Sequence, residues 1–163
     1  MTASVLLDTS FLISLVDASR PNHAQAVKYY RLMLDDAVPM YFSAIVAAEL
    51  SIKQPIVDFP LRNFRIVPFN IPHAIEAGKL WNALGARDSG DARAVVRDDV
   101  KLIAQAVHES ISFVITEDAS TLFKYCERLR HAGEIKVRAI KLADGFDPDV
   151  FRSDGQKGLD LSE

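Results

Sequence analysis

Four acidic positions, Asp8, Glu49, Asp99 and Asp118, stand where carboxylates are hard to explain as ordinary surface charge. Asp8 follows the apolar run Val5-Leu6-Leu7, and Asp118 follows Phe113-Val114-Ile115-Thr116 with one residue between. Taken singly, each reads as a turn-forming aspartate. Glu49 shares i, i+3, i+4, i+7 spacing with Ile45, Ala48 and Ile52, so a carboxylate stands on an apolar helical stripe. There it needs a cation, a donor network or a raised pKa, unless it reaches an arginine or escapes to solvent at the stripe's edge. Asp98-Asp99 reads as a helix opening, where acids suit the free amides. Helix phase turns Asp99 inward with Leu102, Ile103 and Ala106, and puts Asp98 with Lys101 and Gln105 on the polar side. Asp98 is then a cap or a support. Four like charges brought together cannot all ionise without compensation, which a hard divalent cation provides. Ligation by oxygen alone selects Mg²⁺ or Mn²⁺ over zinc. His23, His73, His108 and His131 are scattered without ligand spacing and read as surface or packing residues.

The elements that must position these acids follow from the apolar pattern. Val5–Leu7 is a buried strand ending at the polar turn Asp8-Thr9-Ser10, with a short helix over 10–17. Pro21 starts a helix whose apolar face is Ala26, Tyr29, Tyr30 and Met33. Met40–Phe42 is a second strand, and Ser43 caps a helix over 44–53 that Pro55 ends. Residues 64–69 are β-like, and Pro72 fits the first turn of a helix to 84. Residues 85–97 read as a loop or mobile helical turn before a helix over 98–110. A strand over 113–116, a helix over 119–132 stopped by Gly133, and a strand over 135–140 complete the series. Short apolar strands alternating with helices predict a three-layer α/β/α sandwich with a mostly parallel central sheet. In such sheets ligands bind at the carboxyl ends of the strands, the edge that carries Asp8 and Asp118.

Composition narrows the alternatives. The 163 residues, 49% hydrophobic and 25% charged, suit one globular domain over 1–142 and an acidic, poorly ordered tail over 143–163. Asp8, Asp17, Glu49 and Lys53 interrupt the most apolar stretches, which excludes a membrane span. The N-terminus lacks the charge and cleavage pattern of a secretory signal, which predicts a cytoplasmic protein. The single Cys126 excludes an internal disulfide and a cysteine zinc cage. With a net charge of −3 the whole molecule repels a polyanion, so nucleic-acid contact must be local. Residues 120–142 carry a local +4 and the tail −4, compatible with a basic rim from Lys124 to Lys141, joined by Arg87, Arg93 and Arg97, or with solvated faces.

The chain resembles the PIN domain family, and within it the VapC-type toxins. The matching segments are Asp8-Thr9-Ser10-Phe11-Leu12-Ile13, Ser43-Ala44-Ile45-Val46-Ala47-Ala48-Glu49-Leu50, Asp99 ahead of Leu102-Ile103-Ala104-Gln105-Ala106, and Ile115-Thr116-Glu117-Asp118, in that order over about residues 4–142. The resemblance implies a metal-dependent ribonuclease whose acidic crevice holds one or two Mg²⁺ or Mn²⁺ ions on Asp8, Glu49, Asp99 and Asp118. It further implies Thr116 as an accessory hydroxyl, Thr9 and Ser10 as shapers of the first turn, RNA as substrate, a homodimer, and a cognate antitoxin that inserts a segment into the crevice. The family's third acid usually stands three residues before the Ile of the Ile-Ala motif, at Val100 here. Asp99 is one residue early, which leaves Asp98 and Asp91 as alternatives.

The implied chemistry is in-line hydrolysis of a phosphodiester by water, without a covalent intermediate, since no Ser-His-Asp or Cys-His arrangement can be argued. An aspartyl-phosphate phosphohydrolase would carry Asp-x-Asp-x-Thr after the first strand, where this chain has Asp8-Thr9-Ser10. A phospho-receiver would want paired acids there. The competing expectation is a PIN-like module that binds RNA or protein with little or no turnover.

Overall fold

The computed structural model describes residues 2–152. Its strands are β1 (Val5–Leu7), β2 (Met40–Ser43), β3 (Phe64–Val67), β4 (Phe113–Thr116) and β5 (Arg138–Lys141). Its helices are α1 (Thr9–Val16), α2 (His23–Asp35), α3 (Ala44–Lys53), α4 (Ile71–Leu84), α5 (Arg93–His108) and α6 (Leu122–His131). The strands form one wholly parallel sheet in the order β3-β2-β1-β4-β5. Right-handed crossovers put α1–α3 on one face and α4–α6 on the other, and the helix contacts group the same way. This is the three-layer α/β/α sandwich expected.

Each central strand is short and apolar because both of its faces are covered: β1 and β4 are buried throughout. The chain leaves β1 toward one face and β4 toward the other, so their carboxyl ends open on a crevice at the switch point of the sheet. The register pairs Leu7 with Ile115. Asp8 and Thr116, one residue further along each strand, therefore meet at that crevice.

Several boundaries differ from the sequence reading. α5 starts at Arg93, not at Asp98, so residues 93–97 are helical and Asp98 and Asp99 lie in the second turn. Asp98 is therefore no N-cap; the cap position is Ala92, without a side-chain bond. The buried face extends back to Val96, but an Arg-rich outer face hid its period. Gln105, assigned to the polar side, is fully buried: it accepts from Ser43 Oγ and donates to the Pro68 carbonyl at 3.1 Å.

α3 also turns differently. Its buried residues are Val46 and Leu50, whereas Ile52 of the predicted stripe is 86% exposed. Ala44–Lys53 is apolar on most sides, so periodicity alone selects no single face. α6 begins at Leu122 because the Asp118 carboxylate accepts from Ser120 N at 2.6 Å and from Thr121 Oγ1 at 3.0 Å, holding 119–121 in a turn.

Of the acidic tail, residues 153–163 lie outside the described residues. The preceding segment packs on the domain: Phe146 and Phe151 meet Tyr29 edge-on at 5.0 and 6.3 Å, and Phe151 meets Phe113 at 5.4 Å. Tyr29 Oη also donates to the Gly145 carbonyl and accepts from Asp147 N, both at 3.1 Å.

Candidate metal centre

Asp8 is buried at the end of β1. Its Oδ2 accepts from Ser10 Oγ and from Thr116 Oγ1, both at 2.8 Å. Thr116 Oγ1 in turn accepts from Asp118 N at 2.8 Å, and Ser10 Oγ accepts from Glu117 N at 2.9 Å. The turns after β1 and β4 are thereby locked together by two hydroxyls. Burial pushes the Asp8 carboxyl above its ordinary value; the Ser10 and Thr116 bonds oppose this and the charge of Glu49 adds to it.

Glu49 reaches the crevice from α3, where Thr9 Oγ1 donates to its Oε2 at 2.6 Å and Lys53 lies 3.8 Å from Oε1. Its side chain is half exposed. Beside it lies a shallow groove of about 460 Å³ walled by Ala44, Ile45, Ala48, Ile52 and Phe69, with Asp98 at its rim.

Asp99 faces inward from α5, as helix phase predicts. Among the described residues its buried Oδ2 has no hydrogen-bond partner. Burial drives its pKa up to about 7 against the lowering influence of the neighbouring Thr121 hydroxyl, and the negative charges of Asp8, Asp118 and Glu49 push in the same direction as burial. Burial also raises Asp118, but bonds from Ser120 and Thr121 outweigh it and hold that carboxyl below its ordinary value.

The alternatives for the third acid are engaged elsewhere. Asp91 accepts from Lys124 Nζ and from Tyr125 Oη, both at 2.5 Å, and Asp98 pairs with Lys101 at 2.9 Å. Thr121, with its hydroxyl between Asp118 and Asp99, was missed in the sequence, although a Ser-Thr pair two and three residues after an aspartate is a legible turn signal.

Much of the predicted basic rim is internally paired. Lys124 and Arg128 bind Asp88 at 2.9 and 2.7 Å, Arg130 binds Glu127 at 2.6 Å, Lys141 binds Asp144 at 3.3 Å, and Arg87 donates to the Asp91 carbonyl. Lys124 and Arg128 thereby tie α6 to the loop before α5, while the other pairs are local.

Among the described residues, no three of the four central acids bring one oxygen each within 4.8 Å of one another; the group that does is His73, His108 and Glu109. There the Asn70 amide donates to His73 Nδ1 at 2.9 Å, so the ring proton sits on Nε2, which bonds Glu109 at 2.6 Å. A metal on that Nε2 would require a ring stripped of both protons. His73 is instead a buried tie between the start of α4 and the end of α5, in keeping with the packing role expected.

At the crevice, by contrast, an unpartnered buried carboxylate oxygen among three further acids, with an all-oxygen donor set, fits a hard divalent cation.

A parallel-sheet fold with a crevice at its switch point, and acids after β1, on α3, on α5 and in the turn after β4, defines a class of α/β proteins. The chain belongs to the PIN domain family, whose model matches residues 5–129. Among solved structures it is similar to VapBC2 of Rickettsia felis bound to a promoter DNA fragment, at 15% identity and TM-score 0.56 over 84% of this chain and 97% of that one. It is similar to FitAcB of Neisseria gonorrhoeae at 22% and 0.56, over 88% and 97% of the two chains. It is also similar to the sarcin-ricin loop cleaving toxin VapC20 of Mycobacterium tuberculosis at 18% and 0.53, over 83% and 99%. No curated protein matches the sequence. Among the described residues no helix is long and apolar enough to cross a membrane.

Proposed function

We propose that this chain is a Mg²⁺- or Mn²⁺-dependent endoribonuclease that hydrolyses RNA phosphodiester bonds, and that it is the toxin of a toxin–antitoxin pair. The observation that carries the reading is the buried, unpartnered Asp99 oxygen facing Asp8, Asp118 and Glu49 at the sheet's switch point. Membership of the PIN family and likeness to toxin–antitoxin structures support it.

Asp8, Glu49, Asp99 and Asp118 would hold the cation, which when bound supplies a water of lowered pKa and positive charge for the phosphate oxygens. The chain's hydroxyls orient these acids. Ser10 and Thr116 both hold Asp8 Oδ2, so among the described residues Oδ1 has no side-chain donor. Thr9 fixes Glu49, and Ser120 with Thr121 fix Asp118. The apolar groove beside Glu49 offers a bed for an inserted antitoxin segment, and a homodimer belongs to the same reading.

The second reading, a PIN-like RNA- or protein-binding module with little turnover, is favoured by the carboxylates not closing to within 4.8 Å. The test incubates the purified protein with single-stranded and structured RNAs, with and without Mg²⁺ or Mn²⁺. Metal-dependent cleavage lost in Asp8→Asn and Asp99→Asn but kept in Asp98→Asn supports the nuclease. Cleavage that survives in Asp8→Asn, or RNA binding without cleavage in either metal, overturns it.

A further inference from the structure

We propose a second nucleic-acid contact outside the acid crevice: the groove between α4 and α5, which takes a single-stranded RNA segment by stacking a base on Trp81 and pairing phosphates with Arg93 and Arg97. The groove measures about 290 Å³ and is floored by Ala77, Gly78, Trp81 and Val100. Arg97 and Asp99 are two residues apart on α5 and so face opposite sides of it. The groove is thus separated from the crevice by the breadth of a helix, about 10–12 Å.

Three observations point to an anionic, flat ligand. Arg93, Arg97 and Lys101 follow one another at four-residue spacing along one stripe of α5. Lys101 is held by Asp98, whereas among the described residues neither arginine forms an ion pair, in contrast to Lys124, Arg128 and Arg130 on α6. The charge of the two arginines is therefore available to a partner. The Arg93 guanidinium lies 5.8 Å from the ring centroid of the half-buried Trp81, so the aromatic face and the cation border the same space.

The third observation is Gly78, in the interior of α4, where glycine is among the least favourable residues. Its φ is ordinary, and a Cβ built there meets nothing within 4 Å. Among the described residues no neighbour requires glycine at this position. Gly78 lines the groove beside Trp81, where any side chain would enter the space offered to a ligand.

Stacking plus unpaired guanidinium groups is the chemistry of single-strand recognition. A second copy of this chain suits the groove poorly, because two like basic stripes would face each other across a two-fold contact. An acidic peptide offers charge but no flat ring for Trp81. The choice of RNA rests on the ribonuclease reading; the existence of the site does not.

Trp81 is the only tryptophan, so its fluorescence reports this groove. Titrating the full-length protein with a short oligouridylate in EDTA, where no cleavage interferes, should quench it. Two phosphate contacts give a log–log salt slope of about −1.4, falling to about −0.7 in Arg97→Gln, with affinity reduced about tenfold. Gly78→Ala should raise Tm by about 2–4 °C yet weaken binding severalfold, a split that a purely structural glycine would not produce. Absence of quenching, equal binding by Arg97→Gln and wild type, equal competition by polyglutamate, or a fluorescence change that tracks protein concentration without RNA would each overturn the proposal. Metal-dependent RNA cleavage with unchanged KM in Arg97→Gln and Gly78→Ala would sink the groove and leave the nuclease standing. Groove binding without cleavage would do the reverse.

Discussion

Replacing Asp99 by Asn in protein stripped of divalent ions should stabilise the fold at neutral and alkaline pH. The folded-state pKa of about 7 lies roughly three pH units above the ordinary 3.8, and each unit corresponds to about 1.4 kcal/mol. The ceiling is thus about 4 kcal/mol; allowing for solvent at the partly open crevice, about 2–4 kcal/mol is expected. The sign follows from proton counting. Between about pH 4 and 7 the folded chain holds a proton on Asp99 that the unfolded chain has released. Stability from this group is complete below the unfolded value and is lost as pH rises through the folded value. Urea denaturation should therefore show wild-type midpoints falling from about pH 4 to about pH 7 and levelling above. The Asn variant should have a flatter profile, with a residual slope from the raised Asp8. Added Mn²⁺ should recover the loss in wild type and do little for Asp99→Asn. Parallel wild-type and variant profiles, or equal stabilisation of both by Mn²⁺, would refute the reasoning that an unrelieved carboxylate lies at the centre of the crevice.

Thr116→Val removes the donor to Asp8 Oδ2 and the acceptor for Asp118 N. It should cost about 1–3 kcal/mol in urea denaturation and abolish cleavage, whereas Thr116→Ser should keep most of both. Ending the chain after Leu142 removes Phe146 and Phe151 from Tyr29 and leaves the Tyr29 hydroxyl without its Gly145 and Asp147 partners. A loss of about 2–4 kcal/mol is expected from two edge-on aromatic pairs with their buried area. A truncated chain as stable as the full one would show that the segment is dispensable.

The order of elements was legible because it depends on neighbours in the chain. Val5–Leu7, Met40–Ser43 and Phe113–Thr116 are apolar runs too short for helices, bounded by polar turns, and each became a central or near-central strand. Asp8 and Asp118 announced themselves by standing just past two of them, and the phase of Leu102, Ile103 and Ala106 turned Asp99 inward. The site's hydroxyls were only partly visible: Thr9, Ser10 and Thr116 stood out through the family likeness, and Thr121 did not.

Amino-acid order by itself determined that a parallel sheet would form with carboxylates at its carboxyl edge, because strand length, turn residues and helix phase are local properties of the chain. Tertiary structure alone decided which side of α3 is buried, where α5 begins, and which cations remain free. Lys124 finds Asp91 across 33 positions and Arg128 finds Asp88 across 40, while Arg93 and Arg97 find no acid among the described residues. Those pairings are set by the distances that folding creates, and no period or spacing along the chain encodes them.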